Sequence, residues 1–241
     1  MRYIDVCSGI SAPTAAWKPL GWQALCYAEI EAAPRAVLAH HYPDVPLVGD
    51  FTQIKGDEYG PVDLLVGGTP CQSFSIAGLR GGLADGRGNL ALEYLRLADR
   101  ARPRWLVWEN VPGVLSSNGG RDFGAILGGM GELGYGFAYR VLDAQHFGSA
   151  AFRRRVFVVA YSGDWRRAAS ALFERQSLRG HNQAIRGRIR GRGKNRLGCL
   201  SAKSVALDRQ DLDLLIYDYE ALTVRFPSVR EYERAQGFPD D

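Results

Sequence analysis

Short apolar runs alternate with stretches of helical periodicity along the first two-thirds of the chain. The runs that predict strands, each bounded by glycine, proline or polar residues, are RYIDV, QALCYAEI, VPLVGD, VDLLVGG, RWLVWENV, FAYRVLDA and RVFVVAYS. Helices are predicted between them at residues 12–20, 31–42 and 90–101, and more weakly at the glycine-rich FGAILGGMGELG. Strands that are apolar along their whole length are buried on both faces. The pattern therefore predicts an α/β fold with a mostly parallel sheet and helices on both faces.

Polar residues follow the first three strands, at the edge where sheets of this kind bind their ligands. Gly9 lies in a turn of small residues, which lets the backbone approach a cofactor. Glu29 ends the second strand at the spacing of a ribose-binding carboxylate; the alternative, an acid that starts a helix, fits Glu31 better. Asp50 can accept from an adenine amino group while Phe51 covers a ring face. Together these features predict a nucleoside pocket.

A cysteine and a carboxylate follow the next two strands, with Cys71 after VDLLVGGTP and Glu109 at the end of RWLVWEN. A thiolate is a strong nucleophile when its pKa is lowered or its substrate is activated. A neighbouring carboxylate would raise the pKa of the thiol, so Glu109 is better interpreted as acting on the substrate. A purely structural cysteine in a loop is the alternative.

Composition changes this picture little. The 241 residues are 46% hydrophobic, with a net charge of +4 that hints at an acidic partner. No apolar run reaches the roughly 18 residues that a membrane span needs, and the chain starts directly in a strand, so we expect neither a membrane segment nor a signal peptide. The four cysteines show no CxxC pairing and no metal-ligand spacing, so no metal is predicted and a reducing cytoplasm is the expected location.

A basic segment follows the last predicted strand of the series. Residues 176–207 contain eight Lys or Arg and no acidic residue. Arginines on a flexible backbone can follow a charged polymer, which favours binding to phosphates. A solvated or disordered basic loop is the alternative.

Several of these strings, in this order, resemble the C5-cytosine DNA methyltransferase family. They are DVCSGI, GDFTQ, GGTPCQSFS, ENV, RRRVF and VREYERAQGFPD, and they extend over residues 4–240. The combination of Pro-Cys-Gln, Glu-Asn-Val and the terminal block is specific, because amino-directed DNA methyltransferases have Pro-Pro and an aromatic residue where Cys71 stands. The resemblance implies a Rossmann-like methyltransferase with a small target-recognition region.

The resemblance also implies a mechanism. Cys71 would attack C6 of a cytosine flipped out of duplex DNA, and Glu109 would hold N3 and the amino group. C5 would then take a methyl group from S-adenosylmethionine, leaving S-adenosylhomocysteine. Arg153 and Arg155 would contact the base or an adjacent phosphate. Residues 72–88 match a mobile loop that closes on DNA, in which Gln72 lies near the gap left by the base and Ser75 meets a phosphate.

The same resemblance assigns two further sets of residues. The positions that match the cofactor pocket are Gly9, Ile10, Glu29, Ile30, Asp50, Phe51, Pro70 and Leu90. The basic residues expected on DNA, on the phosphates and in a groove, are Arg186, Arg188, Arg190, Arg192, Lys194 and Arg196.

The predicted organisation is a catalytic, cofactor-binding domain at residues 1–161, a small basic target-recognition region at 162–221 and a return segment at 222–241. Three features depart from the family pattern: Cys7 and Ser11 replace an aromatic residue and a glycine, Ala151 replaces a glutamine, and a final Gly-Asn motif is missing. The missing motif leaves three interpretations, namely a truncated chain, a partner chain that supplies it, or a monomer that works without it.

Two other functions remain open at this point. One is a catalytically silent DNA-binding relative, which the intact Cys71, Glu109, Arg153 and Arg155 argue against and the missing motif argues for. The other keeps the thiol chemistry but acts on RNA or transfers a different one-carbon unit. A compact member from a phage or prokaryotic genome is the expected setting, with no indication of a companion nuclease.

Overall fold

The computed structural model describes residues 1–70, 90–149 and 151–173, together with the backbone of two short strands near the carboxyl terminus. Seven strands of the described residues form one sheet: β1 (Arg2–Val6), β2 (Gln23–Ala28), β3 (Leu47–Val48), β4 (Leu64–Gly67), β5 (Trp105–Asn110), β6 (Tyr135–Asp143) and β7 (Arg154–Ser162). The remaining two, β8 (Ile216–Asp218) and β9 (Thr223–Arg225), form an antiparallel pair.

The helices follow the predicted alternation. They are α1 (Ala12–Trp17), α2 (Ala32–His41), α3 (Leu90–Ala101), α4 (Arg121–Glu132) and α5 (Trp165–Leu172). Short 3-10 turns lie at Lys18–Leu20, Phe51–Gln53, Pro112–Leu115, Ser117–Gly120 and Ala144–Phe147. The first helix is predicted to be interrupted near Pro19 and closed by Gly21, and this is confirmed: α1 ends at Trp17, and a separate 3-10 turn at Lys18–Leu20 is closed by Gly21 at a φ of 72°.

The sheet has the strand order β3-β2-β1-β4-β5-β7-β6. The pairs from β3 to β5 are parallel, whereas β5 and β7 run antiparallel. The predicted α/β class with a mostly parallel sheet is therefore confirmed. Because the strand order reverses between β1 and β4, a crevice is expected beyond the carboxyl ends of these two strands.

Both faces of the sheet are covered. Alternate residues of a strand point to opposite faces; Ile4 and Leu65 pack in the larger core with Leu95 of α3 and Ile126 of α4. On the other face Tyr3, Leu64 and Val66 pack with Trp17 of α1 and with Trp22.

The strand register defines the edge at which ligands are expected. Val6 lies beside both Ala28 and Gly67, and Gly67 lies beside Trp108. The residues one position further along the four parallel strands are Cys7, Glu29, Gly68 and Glu109. Strand β7 begins at this edge as well, because Asn110 pairs with Val156.

The chain forms two compact units. The first comprises Met1–Val141 and Arg155–Phe173, and the described part of the second is Leu142–Arg154 with β8 and β9. The boundaries predicted at residues 161 and 221 stay a prediction. Among the residues with a described position, every helix is too short or too polar to cross a bilayer.

Candidate active site

The turn after β1 meets the end of β2 through a carboxylate. Gly9, at a φ of 55°, donates its N–H to Glu29 Oε2 at 2.8 Å, and the Glu31 N–H donates to Glu29 Oε1 at 2.9 Å. Glu29 is only 8% exposed. Each oxygen keeps a further lone pair, so Glu29 is an oriented acceptor for hydroxyl groups. The structure thus brings together two of the residues predicted for the cofactor.

Hydroxyl groups hold the turn in shape where the family pattern has other residues. Cys7 and Ser11 both adopt left-handed backbone conformations, at φ of 52° and 58°. Ser11 Oγ donates to Asp5 Oδ2 at 2.6 Å and lies 2.7 Å from Thr14 Oγ1. Ser8 ties the turn to β2, since its N–H donates to the Ala28 carbonyl and its Oγ accepts from the Ala28 N–H, both at 3.1 Å. These bonds account for how a turn without the usual glycine keeps its conformation.

Burial decides the charge state of this turn. It raises the pKa of Asp5 to about 8, against the opposing hydrogen bond from Ser11. Burial, reinforced by the charges of Glu29, Asp5 and Asp50, raises the pKa of the Cys7 thiol to about 12. Cys7 is therefore a neutral thiol at physiological pH and is unsuited to nucleophilic attack.

The end of β3 presents an exposed carboxylate beside a buried ring. Asp50 caps the 3-10 turn that follows by accepting from the Thr52 N–H at 2.9 Å, and it is exposed. Phe51 is 4% exposed and packs in the larger core, so most of its ring is committed to the interior. Ile30, by contrast, is 70% exposed beside Glu29 and offers apolar surface to a ring.

Arg35 of α2 is a positioning residue that sequence reasoning missed. Its Nη1 donates to the carbonyls of Glu29, at 2.8 Å, and Val48, at 2.7 Å. One guanidinium thus joins the ends of β2 and β3, which lead to Glu29 and Asp50. No local sequence signal marks Arg35, because both of its acceptors are backbone carbonyls.

Gly67 ends β4 and Gly68 follows it, at a point where the neighbouring strands approach closely. A Cβ on Gly67 would lie 2.5 Å from Val6 Cγ2, and a Cβ on Gly68 would lie 2.9 Å from Glu109 Oε2. Both are closer than side-chain carbons approach in practice. The glycines of GGTPCQ therefore leave room for Val6 and for the carboxylate of Glu109.

Beyond the glycines, β5 holds the chain at Thr69. Trp108 Nε1 donates to Thr69 Oγ1, and Asn110 Nδ2 donates to the Thr69 carbonyl, both at 3.0 Å. Asn110 Oδ1 accepts from the Val111 N–H at 2.8 Å, which orients its amide. Thr69 is the second residue before Cys71, so β5 anchors the approach to this cysteine.

Glu109 and Arg155 form an ion pair at the same edge. Arg155 Nε lies 2.8 Å from Glu109 Oε1, and the two side chains are 22% and 28% exposed. The structure thus brings together two residues predicted as catalytic, and the guanidinium of Arg155 binds the carboxylate of Glu109. Arg153 belongs to the second compact unit, where its carbonyl accepts from the Ala144 N–H at 2.9 Å.

The other predicted site residues divide into two groups. Pro70 and Leu90 are described on either side of residues 71–89, with Pro70 exposed and Leu90 at the start of α3. The residues that lie outside the described part of the chain are Cys71, Gln72, Ser75, Arg186, Arg188, Arg190, Arg192, Lys194 and Arg196. Their predicted roles stay predictions.

The β1 turn and Glu29 fit a nucleoside cofactor. A Cβ on Gly9 would meet no atom within 4 Å, so the space beside this glycine is open. Glu29 presents a carboxylate with both oxygens oriented, and Ile30 presents an exposed apolar side chain. The carboxylates of Glu29 and Asp50 also suit a cofactor that carries positive charge.

This architecture and these motifs agree with comparisons to known proteins. A family model described as C-5 cytosine-specific DNA methylase matches residues 1–190. The structure resembles the Dnmt2 methyltransferase of S. pombe with a TM-score of 0.67 at 15% identity, covering 100% of this chain and 87% of that one, which supports the fold. The chain belongs to the C-5 cytosine-specific DNA methylase family.

Two phage proteins are among its relatives. The chain is 42% identical over 231 residues to a DNA N-6-adenine-methyltransferase of Escherichia phage P1, which covers 73% of this chain and 30% of that protein. It is 31% identical over 208 residues to the orphan methyltransferase M.Rho11sI of Bacillus phage rho11s, covering 85% of this chain and 40% of the relative. The chain thus spans less than half the length of these curated relatives.

Proposed function

We propose that this chain methylates cytosine at C5 in duplex DNA, with S-adenosylmethionine as the methyl donor and Cys71 as a covalent nucleophile. The observation that supports this most is the Glu109 carboxylate, which Arg155 holds at the edge where β4 leads to Cys71. Membership of the C-5 cytosine-specific family supports the same reaction.

The geometry of Glu109 suits the recognition of a cytosine ring. Arg155 engages Oε1, while Oε2 lies over Gly68, three residues before Cys71. A carboxyl group in this position can interact with N3 and the amino group of cytosine. A proton passed from the carboxyl group of Glu109 to N3 would neutralise the negative charge that develops in the ring as the thiolate of Cys71 bonds to C6. Because C6 is inaccessible in stacked DNA, the proposal requires the base to be flipped out of the duplex.

The remaining steps restore the ring. After the sulfur adds to C6, C5 would be nucleophilic and would bond to the methyl group of S-adenosylmethionine as the bond between that methyl group and the donor sulfur breaks, which leaves S-adenosylhomocysteine. A base then removes the proton from C5, the C5–C6 double bond re-forms and the sulfur of Cys71 leaves. In this proposal Glu29 binds the ribose hydroxyls, Asp50 the adenine amino group, and Ile30 the adenine ring.

Adenine N6 is the competing target, because the name of the Escherichia phage P1 relative specifies it. Transfer to an exocyclic amino group needs no thiol, whereas this chain has Pro70-Cys71-Gln72 and Glu109-Asn110-Val111 in the family order. The matched region is also only 30% of that relative, so its name need not describe the matched part. Cytosine C5 is the better supported target.

The test is methyl transfer from labelled S-adenosylmethionine to unmethylated duplex DNA, with the product mapped base by base. We expect 5-methylcytosine at a defined short sequence, no transfer by Cys71→Ser, and strongly reduced turnover with retained cofactor binding in Glu109→Gln. N6-methyladenine as the product, or full activity of Cys71→Ser, would refute the proposal. DNA binding without transfer would favour a catalytically silent relative instead.

A further inference from the structure

Thr69 is the most tightly held residue on the approach to Cys71. Its hydroxyl accepts from the Trp108 indole and its carbonyl accepts from the Asn110 amide, both at 3.0 Å. Thr69 is 3% exposed, Asn110 5% and Trp108 0%. In a buried setting such bonds define position, because an unpaired donor or acceptor would be costly.

The donor of the first bond is itself rigid. Trp108 stacks on Phe123 of α4, with ring centroids 6.4 Å apart and planes inclined by 28°. Residues that follow one another in a strand point to opposite faces, so Trp108 points into the core while Glu109 points away from it. One short stretch of β5 therefore holds both the proposed substrate-binding carboxylate and the anchor for Thr69.

Pro70 extends the effect of this anchor toward the cysteine. The proline ring fixes its own φ and restricts the backbone of the preceding residue to extended conformations. With Thr69 held by side chains of β5, few backbone angles remain between the anchor and Cys71. A hydrogen bond to Thr69 can thus influence the position of the Cys71 thiol through the backbone.

We propose that the indole of Trp108 and the hydroxyl of Thr69 form a positioning pair, which sets the placement of the Cys71 thiol relative to Glu109. This inference rests on the proposed function, in which Cys71 is the nucleophile. The pair acts through the backbone and contacts no reacting atom. Its loss should slow attack on C6 without affecting the cofactor pocket.

The sharpest substitution is Thr69→Val, which keeps the shape of the side chain and the carbonyl that Asn110 binds, and removes only the hydroxyl. Thr69→Ser restores the hydroxyl and serves as the rescue variant. Trp108→Phe removes the indole N–H that donates to the Thr69 hydroxyl. Trp105→Phe is the matched control, because it makes the same indole-to-phenyl change on the same strand, at the end remote from Glu109.

The readout is the rate of covalent adduct formation with a duplex that contains 5-fluorocytosine, at saturating S-adenosylmethionine. Fluorine at C5 cannot leave as a proton does, so the adduct with Cys71 accumulates and can be counted. We expect Thr69→Val and Trp108→Phe to slow this step about 10- to 100-fold, as for a reacting group misplaced by about 1 Å. Thr69→Ser and Trp105→Phe should react within about 3-fold of the wild-type rate. The double variant Thr69→Val/Trp108→Phe should react no more slowly than Trp108→Phe alone, because both substitutions remove the same hydrogen bond.

Three further measurements make the outcomes distinct. The indole N–H resonance of Trp108 should shift in Thr69→Val, which reports the bond itself independently of activity. The Kd for S-adenosylmethionine should change little in this variant, and the Tm should fall only by the few degrees that one unpaired buried N–H costs. A wild-type rate in Thr69→Val, or a loss that parallels loss of cofactor binding and Tm, would overturn the positioning role and leave the proposed function standing. No adduct with the wild-type chain would overturn both.

Discussion

Replacing Gly68 by alanine tests whether the carboxylate of Glu109 must lie where the structure places it. The new Cβ would lie 2.9 Å from Glu109 Oε2, whereas ordinary contacts of a Cβ begin at 3.4 Å. The carboxylate must therefore move by about 0.5 Å or more, and the ion pair with Arg155 must adjust with it. Because a displacement of about 1 Å can cost about 100-fold in rate, a shift of half that size corresponds to about 10-fold in kcat.

The assay for Gly68→Ala is methyl transfer at saturating DNA and S-adenosylmethionine, together with the Kd for the cofactor. The cofactor affinity should stay unchanged, since Gly9 and Glu29 follow other strands, β1 and β2. Gly128→Ala is the matched control: a Cβ there meets no atom within 4 Å, so kcat should stay constant and helix α4 should gain about 0.5–1 kcal/mol. Wild-type kcat in Gly68→Ala would refute the assigned placement of Glu109.

The remaining predictions concern the turn after β1 and the end of β2. Glu29→Ala should raise the Kd for S-adenosylmethionine about 10- to 100-fold, because charge-assisted hydrogen bonds are lost. The control Glu132→Ala, at an exposed end of α4, should leave this Kd unchanged. Titration calorimetry measures both values. Arg35→Met should lower the free energy of unfolding by about 1–3 kcal/mol and weaken cofactor binding, while kcat at saturating cofactor stays constant; urea unfolding and steady-state kinetics test this. Asp5 has a folded-state pKa of about 8, above its ordinary value of 3.8, so it binds its proton more tightly in the native state. Its contribution to stability is therefore complete below about pH 4 and is lost as the pH rises to about 8. Asp5→Asn should therefore flatten the fall of stability over this range in urea titrations, and an unchanged slope would contradict the buried, protonated carboxyl.

Several parts of the fold and of the candidate site could be predicted from local patterns in the sequence. The alternation of apolar runs and helices predicted the parallel sheet, and the helix expected at residues 90–101 is α3 (Leu90–Ala101). Glu29 and Glu109 were predicted at one edge because parallel strands end at the same side of a sheet. In the register of the parallel strands, Glu29 and Glu109 each lie one residue beyond the last pairs, Val6–Ala28 and Gly67–Trp108.

Other features depend on contacts between distant parts of the chain. The hydroxyl of Thr69 meets an indole 39 residues away, and Arg35 joins a carbonyl 13 residues away to one only six away. Phe51 stays a predicted cofactor-pocket residue, and only the structure shows that it is 4% exposed and packs in the larger core. Periodicity cannot reveal such partners, because they are decided by which strands become neighbours.

The sequence by itself determined the class of fold, the family and the residue types at the carboxyl edge, because these depend on local periodicity and on short motifs. Only the tertiary structure decided that Ser11 and Asp5 stabilise the turn after β1, that Gly68 leaves room for Glu109, and that Trp108 anchors Thr69. The reason is physical: a hydrogen bond or a close approach requires atoms to meet within a few ångströms, and the packing of β1, β4 and β5 brings those atoms together.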